Sequence, residues 1–170
     1  MASRELGPLV HLFAEAIGRP GERRFRLQLI SEAGDSACLW LEKEQLAALG
    51  DALETLLKDE GYQYHRLPLD DTEAPAVFPY SPDLEMRIGQ LSMGINRERQ
   101  RIVLIGAAPG GPEDDPETLS LEFDFRRGHE LRRQIADVVA AGRPPCPLCT
   151  GPMDPEGHVC VKMNGHHKQQ

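Results

Sequence analysis

The pattern of hydrophobic and polar positions predicts three β-strands followed by an amphipathic helix in the first third of the chain. Apolar residues alternate with other residues in three segments, which is typical of strands with one buried face. These segments are residues 10–16, 24–29 and 37–41. Leucines at helical spacing then predict a helix that ends near residue 58. They are Leu46, Leu49, Leu53, Leu56 and Leu57.

The second half of the chain repeats this order of three strands and a helix. Apolar residues alternate through 84–95 but change phase at Gly89 and Gln90, which predicts a β-bulge. The continuous apolar run 102–105 predicts a more buried strand, and strict alternation over 119–125 predicts the next strand. A helix is predicted after it from apolar residues on one stripe, which are Leu131, Ile135, Val138 and Val139.

A proline-rich connector, residues 59–82, separates the two halves and contains four prolines and all three tyrosines of the chain. Proline removes a backbone donor and restricts the residue before it, so we expect no long regular element there. The units 9–58 and 84–141 suggest an internal repeat. Coincidence is the alternative, because no single offset aligns the leucines of both helices. We predict an α+β fold in which residues 1–142 form an antiparallel sheet body, with the helices covering one face of each sheet.

Composition and charge exclude several classes of protein. The 170 residues carry 27 acidic and 19 basic side chains, for a net charge of −8, and 40% of the residues are hydrophobic. Such a chain has the apolar residues that intrinsically disordered proteins lack. The longest apolar window, residues 102–112, is too short to span a membrane, and the N-terminus lacks the features of a signal peptide. We therefore expect a soluble cytoplasmic protein without a membrane partner.

The clearest chemical signal lies in the C-terminal tail, residues 143–170. Cys146, Cys149 and Cys160 fall within 15 residues, whereas Cys38 stands alone. Disulfide scaffolds are typical of secreted chains with an even number of cysteines, so this grouping in a chain without a signal peptide favours a metal site. The tail is therefore predicted to bind zinc.

The spacing within the tail is typical of a zinc knuckle. Two cysteines separated by two residues can occupy adjacent corners of a tetrahedral site, and Gly151 permits the positive φ that the turn after them tends to need. Residues 160–165 match this knuckle position by position, except that Met163 stands where a fourth cysteine would be. We predict one zinc ion in a small zinc-ribbon-like tail.

The fourth zinc ligand has several candidates, because the neutral thioether of Met163 is a poor ligand for zinc. His158 is favoured, since it lies two residues before Cys160 and the two side chains project to the same side of an extended segment. His166 and His167 are also within reach in sequence, but they lie near a terminus that is expected to fray. Water is the remaining possibility.

Motifs along nearly the whole chain resemble one uncharacterised bacterial family. In the tail they are Arg143-Pro144-Pro145-Cys146-Pro147-Leu148-Cys149, the segment 154–160 and Asn164-Gly165. Earlier in the chain they are the turn 18–21 with Phe25 and Leu27, and the helix start at 41–45. The family is the domain of unknown function 3090. The resemblance implies a bacterial cytosolic protein with His158 among the metal-binding positions, and it implies no activity.

These features favour a non-enzymatic zinc-binding protein with a structural zinc site and a protein-interaction or adaptor role. Residues 143–167 have almost no apolar core, and such short segments usually fold around the metal. The enzymatic alternative is a zinc-dependent hydrolase, in which Glu156 or Asp154 would act as the general base beside a zinc-bound water. No catalytic residue is assigned.

A second alternative is a nucleic-acid-associated factor that uses the tail and four nearby arginines. The arginines are Arg126, Arg127, Arg132 and Arg133. Residues 123–170 carry a net charge of +2, while residues 1–122 carry −10. A local contact with nucleic acid would produce such an asymmetry. A solvated helix face is nevertheless the favoured explanation of these arginines, because the excess charge is small and the tail lacks aromatic residues for base stacking.

Overall fold

The computed structural model describes residues 3–19, 21–64, 77–110, 116–142 and 146–149, together with Met153, Cys160 and Lys162. The first half contains β1 (Ser3–Ile17), β2 (Arg24–Ser31), β3 (Ser36–Leu41) and α1 (Lys43–Asp59). The second half contains β4 (Leu84–Arg87), β5 (Gln90–Asn96), β6 (Arg101–Ala107), β7 (Thr118–Asp124) and α2 (Phe125–Ala140). The protein is therefore α+β, as predicted, although β1 begins seven residues earlier than its pattern indicated.

The seven strands form one mixed sheet in the order β4-β3-β2-β1-β7-β6-β5. The prediction of an antiparallel sheet was wrong for two pairs, because β1 is parallel to β7 and β3 is parallel to β4. Alternation along a strand reports which side chains are buried, but it carries no information on the direction of the neighbouring strand. Parallel neighbours need a long connection, and α1 with the proline-rich connector supplies it between β3 and β4.

The first and last strands of this order are consecutive in the chain. Only Ile88 and Gly89 separate β4 from β5. The Ile88 N–H donates to the carbonyl oxygen of Trp40 in β3 at 2.9 Å, and the Gly89 N–H donates to that of Ala107 in β6 at 2.8 Å. The segment 84–96 therefore pairs first with β3 and then with β6, so the sheet closes on itself.

This closure explains the phase change that predicted a β-bulge at Gly89 and Gln90. The side chains change face there because the chain leaves β3 and joins β6. Strand β1 makes the same transition, pairing with β7 over residues 3–8 and with β2 over residues 9–17. The two halves thus have equivalent strand pairings, while their origin by duplication stays a prediction.

One hydrophobic core joins the strands and both helices. The fully buried large side chains include Leu27, Leu39, Leu46, Leu53, Ile102, Leu104, Leu121, Phe123 and Leu131. The expectation of a more buried strand at 102–105 was wrong, because Ile105 is 41% exposed and only one face of β6 is covered. In the part of the chain that the structure describes, neither helix is long and apolar enough to cross a membrane.

Capping side chains define where the two helices begin. In α1, Glu42 and Gln45 form a reciprocal capping box, and in α2 the Asp124 side chain accepts a hydrogen bond from the Arg127 N–H at 2.7 Å. The helices pack against each other, and α2 also lies along β1. The C-terminal end of α2 leads directly into the cysteine-containing tail.

Candidate metal centre

The structure brings together the three cysteines that the sequence analysis grouped. Cys146 and Cys160 are both 4% exposed, and Cys149 is partly exposed. Their sulfur atoms all lie within 4.8 Å of one another. Residues 147–149 form the tight turn that the spacing predicted, and this turn places two thiols on the same side of the chain.

The distances within the cluster fit a tetrahedral metal ion. The Sγ atoms of Cys146 and Cys160 are 3.8 Å apart, which is far longer than a disulfide bond. Zinc–thiolate bonds of about 2.3 Å at tetrahedral angles place two sulfur atoms about 3.8 Å apart. The thiols of Cys146, Cys149 and Cys160 could therefore hold a metal ion together.

Backbone N–H groups of the turn favour the thiolate form of Cys146. The Leu148 N–H donates to Cys146 Sγ at 3.4 Å. Hydrogen bonds from the backbone of Cys149 and of Leu148 lower the pKa of the Cys146 thiol from its ordinary value of 9.0 to about 6. The thiolate is the form of cysteine that binds metals, so the turn supplies both the position and the charge state of this ligand.

The remaining candidate ligands lie outside the described residues. These are His158, His166 and His167, together with the proposed bases Asp154 and Glu156. Cys38, in contrast, lies in β3, is fully buried and does not belong to the cluster. Burial raises the pKa of the Cys38 thiol, although Arg26 opposes this rise, so Cys38 is a packed side chain of the sheet.

Two of the four arginines considered for nucleic-acid binding lie beside carboxylates. Arg126 is 3.3 Å from Glu130 one turn along α2, and Arg132 is 3.8 Å from Glu54 of α1. These neighbours reduce the positive potential that a phosphate backbone would meet. The geometry of α2 therefore favours the simple explanation of a solvated helix face.

The outer face of β1 and β2 carries a polar network that was not predicted from the sequence. Gln28 lies on the polar side of the alternation along residues 24–29, yet it is only 9% exposed. It contacts His11 at 3.2 Å and donates to Glu15 at 2.8 Å, while Arg26 forms an ion pair with the same carboxylate. Residues on one strand face need not be solvated when a connector crosses them.

Aromatic side chains complete this outer face. Phe78, from the last part of the connector, stacks on His11 with 6.2 Å between ring centroids and lies 5.8 Å from the Arg26 guanidinium. The Arg24 guanidinium lies over the ring of Trp40 in β3, 4.1 Å from the ring centre. One signal in the sequence could have predicted this cluster. His11 and Phe13 stand at alternate positions of β1, which places two rings on the face of β1 that carries Glu15.

The comparison with known families agrees with the motifs along the chain. The sequence profile of the family described as Protein of unknown function (DUF3090) matches residues 5–160. This match includes both helices, all three clustered cysteines and all of the described sheet except Ser3 and Arg4 of β1. No curated protein is similar enough to the chain to match it.

Proposed function

We propose that this chain, which belongs to the DUF3090 family of proteins of unknown function, binds one structural zinc ion and presents its zinc-folded tail to a protein partner. The observation that carries the proposal is the cluster of three thiols within 4.8 Å of one another. Thiolate ligands select soft or borderline metals over magnesium and calcium. Sites with three cysteines and one histidine are a common structural zinc type.

A structural role for the metal follows from the composition of the tail. Its apolar residues are few, and Leu148, between two of the cysteines, is 48% exposed. The tail therefore cannot rely on a hydrophobic core. Zinc binding contributes roughly 10–16 kcal/mol to folding in comparable short segments, which is enough to order such a tail.

The fourth ligand is proposed to be His158, on the basis of its position in the sequence. A neutral imidazole would complete a four-coordinate site and leave no position for a reactive water. A water in its place would instead suit the hydrolase alternative. The identity of the fourth ligand therefore separates a structural from a catalytic site.

Metal content and cobalt substitution test the site. We expect purified protein to contain one zinc per chain, and its cobalt form to show the strong visible absorption of four-coordinate, thiolate-rich Co²⁺. His158→Ala should weaken and shift this absorption, whereas the matched His166→Ala should not. Protein without metal would contradict the zinc site, and a five-coordinate spectrum in the wild type would favour the hydrolase.

The partner is tested by affinity capture from the native cell with wild type and Cys146→Ser. Leu148 offers an apolar side chain for such a contact, because it is 48% exposed in the turn between two of the cysteines. Proteins retained by wild type and lost from the variant would identify the tail as an interface. If instead the wild type retains nucleic acid with a steep salt dependence that Arg126→Glu and Arg132→Glu remove, the adaptor role is wrong.

A further inference from the structure

The outer edge of β5 is lined by a groove that separates this strand from α1. Its lining includes four consecutive residues of β5 and four of α1, together with Gly89 and with Leu104 of β6. Those of β5 and α1 are Gln90, Leu91, Ser92 and Met93 with Gln45, Ala48, Leu49 and Ala52. Consecutive side chains of a strand point to opposite faces, so a groove lined by four in a row follows the edge of the strand. Its volume is about 510 Å³. Among the described strands, β5 pairs only with β6, on its other side.

The equivalent edge in the first half of the chain is covered. The second half of β1 pairs with β2 on one side, and α2 lies along the other. There, the Ala14 N–H donates to the side-chain oxygen of Gln134 at 3.0 Å. The backbone of β1 thus receives its hydrogen-bond partner from the helix, and Ala14 is buried.

Helix α1 covers only the start of the corresponding edge at β5. The Gln45 side chain donates to the carbonyl oxygens of Ile88 at 3.2 Å and Gly89 at 3.1 Å. Beyond Gly89, the described residues show no hydrogen bond from an α1 side chain to the backbone of β5. Since the two halves pair their strands equivalently, the space between α1 and β5 corresponds to the edge that α2 fills in the other half.

A second cavity adjoins the groove, and Ala52 lines both. Its lining includes Asp51, Asp59 and Glu60, with Arg97 as the cation. Arg97 lies 3.3 Å from Glu60, which leaves two carboxylates without this compensation. The groove is therefore apolar beside Leu91 and Met93, and the cavity next to it is acidic at Asp51 and Asp59.

The sequence of β5 lacks the usual protection of a free edge. Natural proteins block such edges with charged residues, proline or a covering helix, because an open edge pairs with other chains. The segment Gln90–Asn96 contains no charged residue and no proline. An uncharged edge of seven residues beside an apolar groove is what strand addition requires.

We propose that this groove binds an extended peptide segment of a partner protein, which adds as a strand to the free edge of β5. Apolar side chains at alternate positions of the peptide would contact Leu49, Leu91 and Met93. Basic side chains at one end would meet Asp51 and Asp59. This site lies on the body and does not depend on the zinc tail.

The probe is a library of random decapeptides displayed on phage, selected on wild-type protein and counter-selected on Ala52→Trp. Ala52 is exposed, so the indole fills the groove without disturbing the core. We expect enriched sequences to alternate apolar residues and to end in Lys or Arg. A synthesised winner should bind Ala52→Trp and the second groove variant, Ala48→Trp, about tenfold or more weakly than wild type. The matched control is Ala33→Trp, in the exposed turn between β2 and β3, which should bind as wild type does.

Backbone pairing is tested with the peptide itself. N-methylation of one set of alternate residues in the peptide should weaken binding about tenfold or more. N-methylation of the other set should not, because only one set of N–H groups faces β5. Hydrogen exchange of the β5 amides should slow on binding.

Three results would overturn the proposal. They are no enrichment over the counter-selection, binding by both groove variants as tight as binding by the wild type, or no effect of N-methylation at either set of alternate residues. Cys149→Ser should bind the peptide normally. Loss of zinc from that variant with retained peptide binding would keep this proposal separate from the fate of the zinc site.

Discussion

Gly50 of α1 lies directly against Ile135 of α2, and a Cβ atom at Gly50 would be only 2.9 Å from Cγ2 of Ile135. Both residues are buried, so neither side can move into solvent. Glycine weakens a helix interior by roughly 1 kcal/mol relative to alanine. This position tolerates that cost because glycine lets the two helices approach each other here.

Gly50→Ala should therefore destabilise the protein, although alanine is the better helix former. Overpacking of a filled core typically costs about 1–3 kcal/mol, and the gain in helix propensity offsets roughly 1 kcal/mol of it. We expect a net loss of about 1 kcal/mol, measured by urea unfolding monitored by circular dichroism.

Two further variants show whether the contact with Ile135 is the cause. In the background Ile135→Ala, the Gly50→Ala change should become neutral or stabilising, because the clashing methyl group is gone. Gly94→Ala is the control, since an added Cβ there has no atom within 4 Å. An additive double variant would show that the cost at Gly50 arises elsewhere.

Gly50 also shows what the sequence could predict about the fold. The leucine spacing predicted α1 to within a residue or two, because burial of one helix face is a local pattern. That α1 packs against α2 depends on how distant segments meet, and a single glycine within a helix does not reveal its neighbour. The parallel pairs of strands could not be predicted for the same reason, because they too join distant segments of the chain.

The candidate sites could likewise be predicted only where they depend on residues close together in the chain. Cys146 and Cys149 could be grouped from their spacing because a tight turn of four residues brings them together, and Cys160 follows closely in the chain. The groove at β5 could not be predicted, because it depends on the distance between α1 and a strand that lies about forty residues later. The burial of Gln28 could not be predicted either, because Phe78, which covers its neighbours, comes from the connector.

Removal of the metal should expose the tail and leave the body folded. With a zinc chelator present, three thiols per chain should react rapidly with a thiol reagent, because Cys146, Cys149 and Cys160 would lose the metal ion that they are proposed to share. The far-UV circular dichroism should change little, since none of the tail residues that the structure describes belongs to the core cluster of strands and helices.

Cys38 provides the control for this measurement. It is fully buried, so Cys38→Ser should leave the number of rapidly reacting thiols unchanged. Only denaturant should make the fourth thiol of the wild type react. Rapid reaction of all three tail thiols before any chelator is added would show that they do not share a metal.

Gln28→Leu should destabilise the outer face of β1 and β2. The change removes the partner of His11 and one donor to Glu15, and it leaves both groups largely covered. We expect a loss of about 1–2 kcal/mol in the free energy of unfolding. Gln90→Leu, at an exposed position of β5, is the matched control and should be close to neutral. Equal effects of the two variants would mean that the network does not contribute to stability.

Asp83 should make part of the stability depend on pH. Its carboxylate accepts hydrogen bonds from the Ser36 N–H at 2.8 Å and the Ser36 hydroxyl at 2.9 Å, and these bonds lower the pKa of Asp83 below its ordinary value. The folded-state pKa is lower than the unfolded one, so the contribution is complete above about pH 5 and is lost as the pH falls through the folded-state pKa.

Asp83→Asn tests this dependence directly. The variant should be less stable than wild type at pH 7. The difference should begin to shrink below about pH 4 and should continue to shrink until the wild-type carboxylate is protonated in the folded state, at a pH below its ordinary pKa. Unfolding is measured at both pH values, with Asp35→Asn in the exposed turn between β2 and β3 as the control. Asp83 fixes the start of β4 onto the start of β3. A difference that is constant with pH would show that the charge of the carboxylate does not contribute to holding this junction.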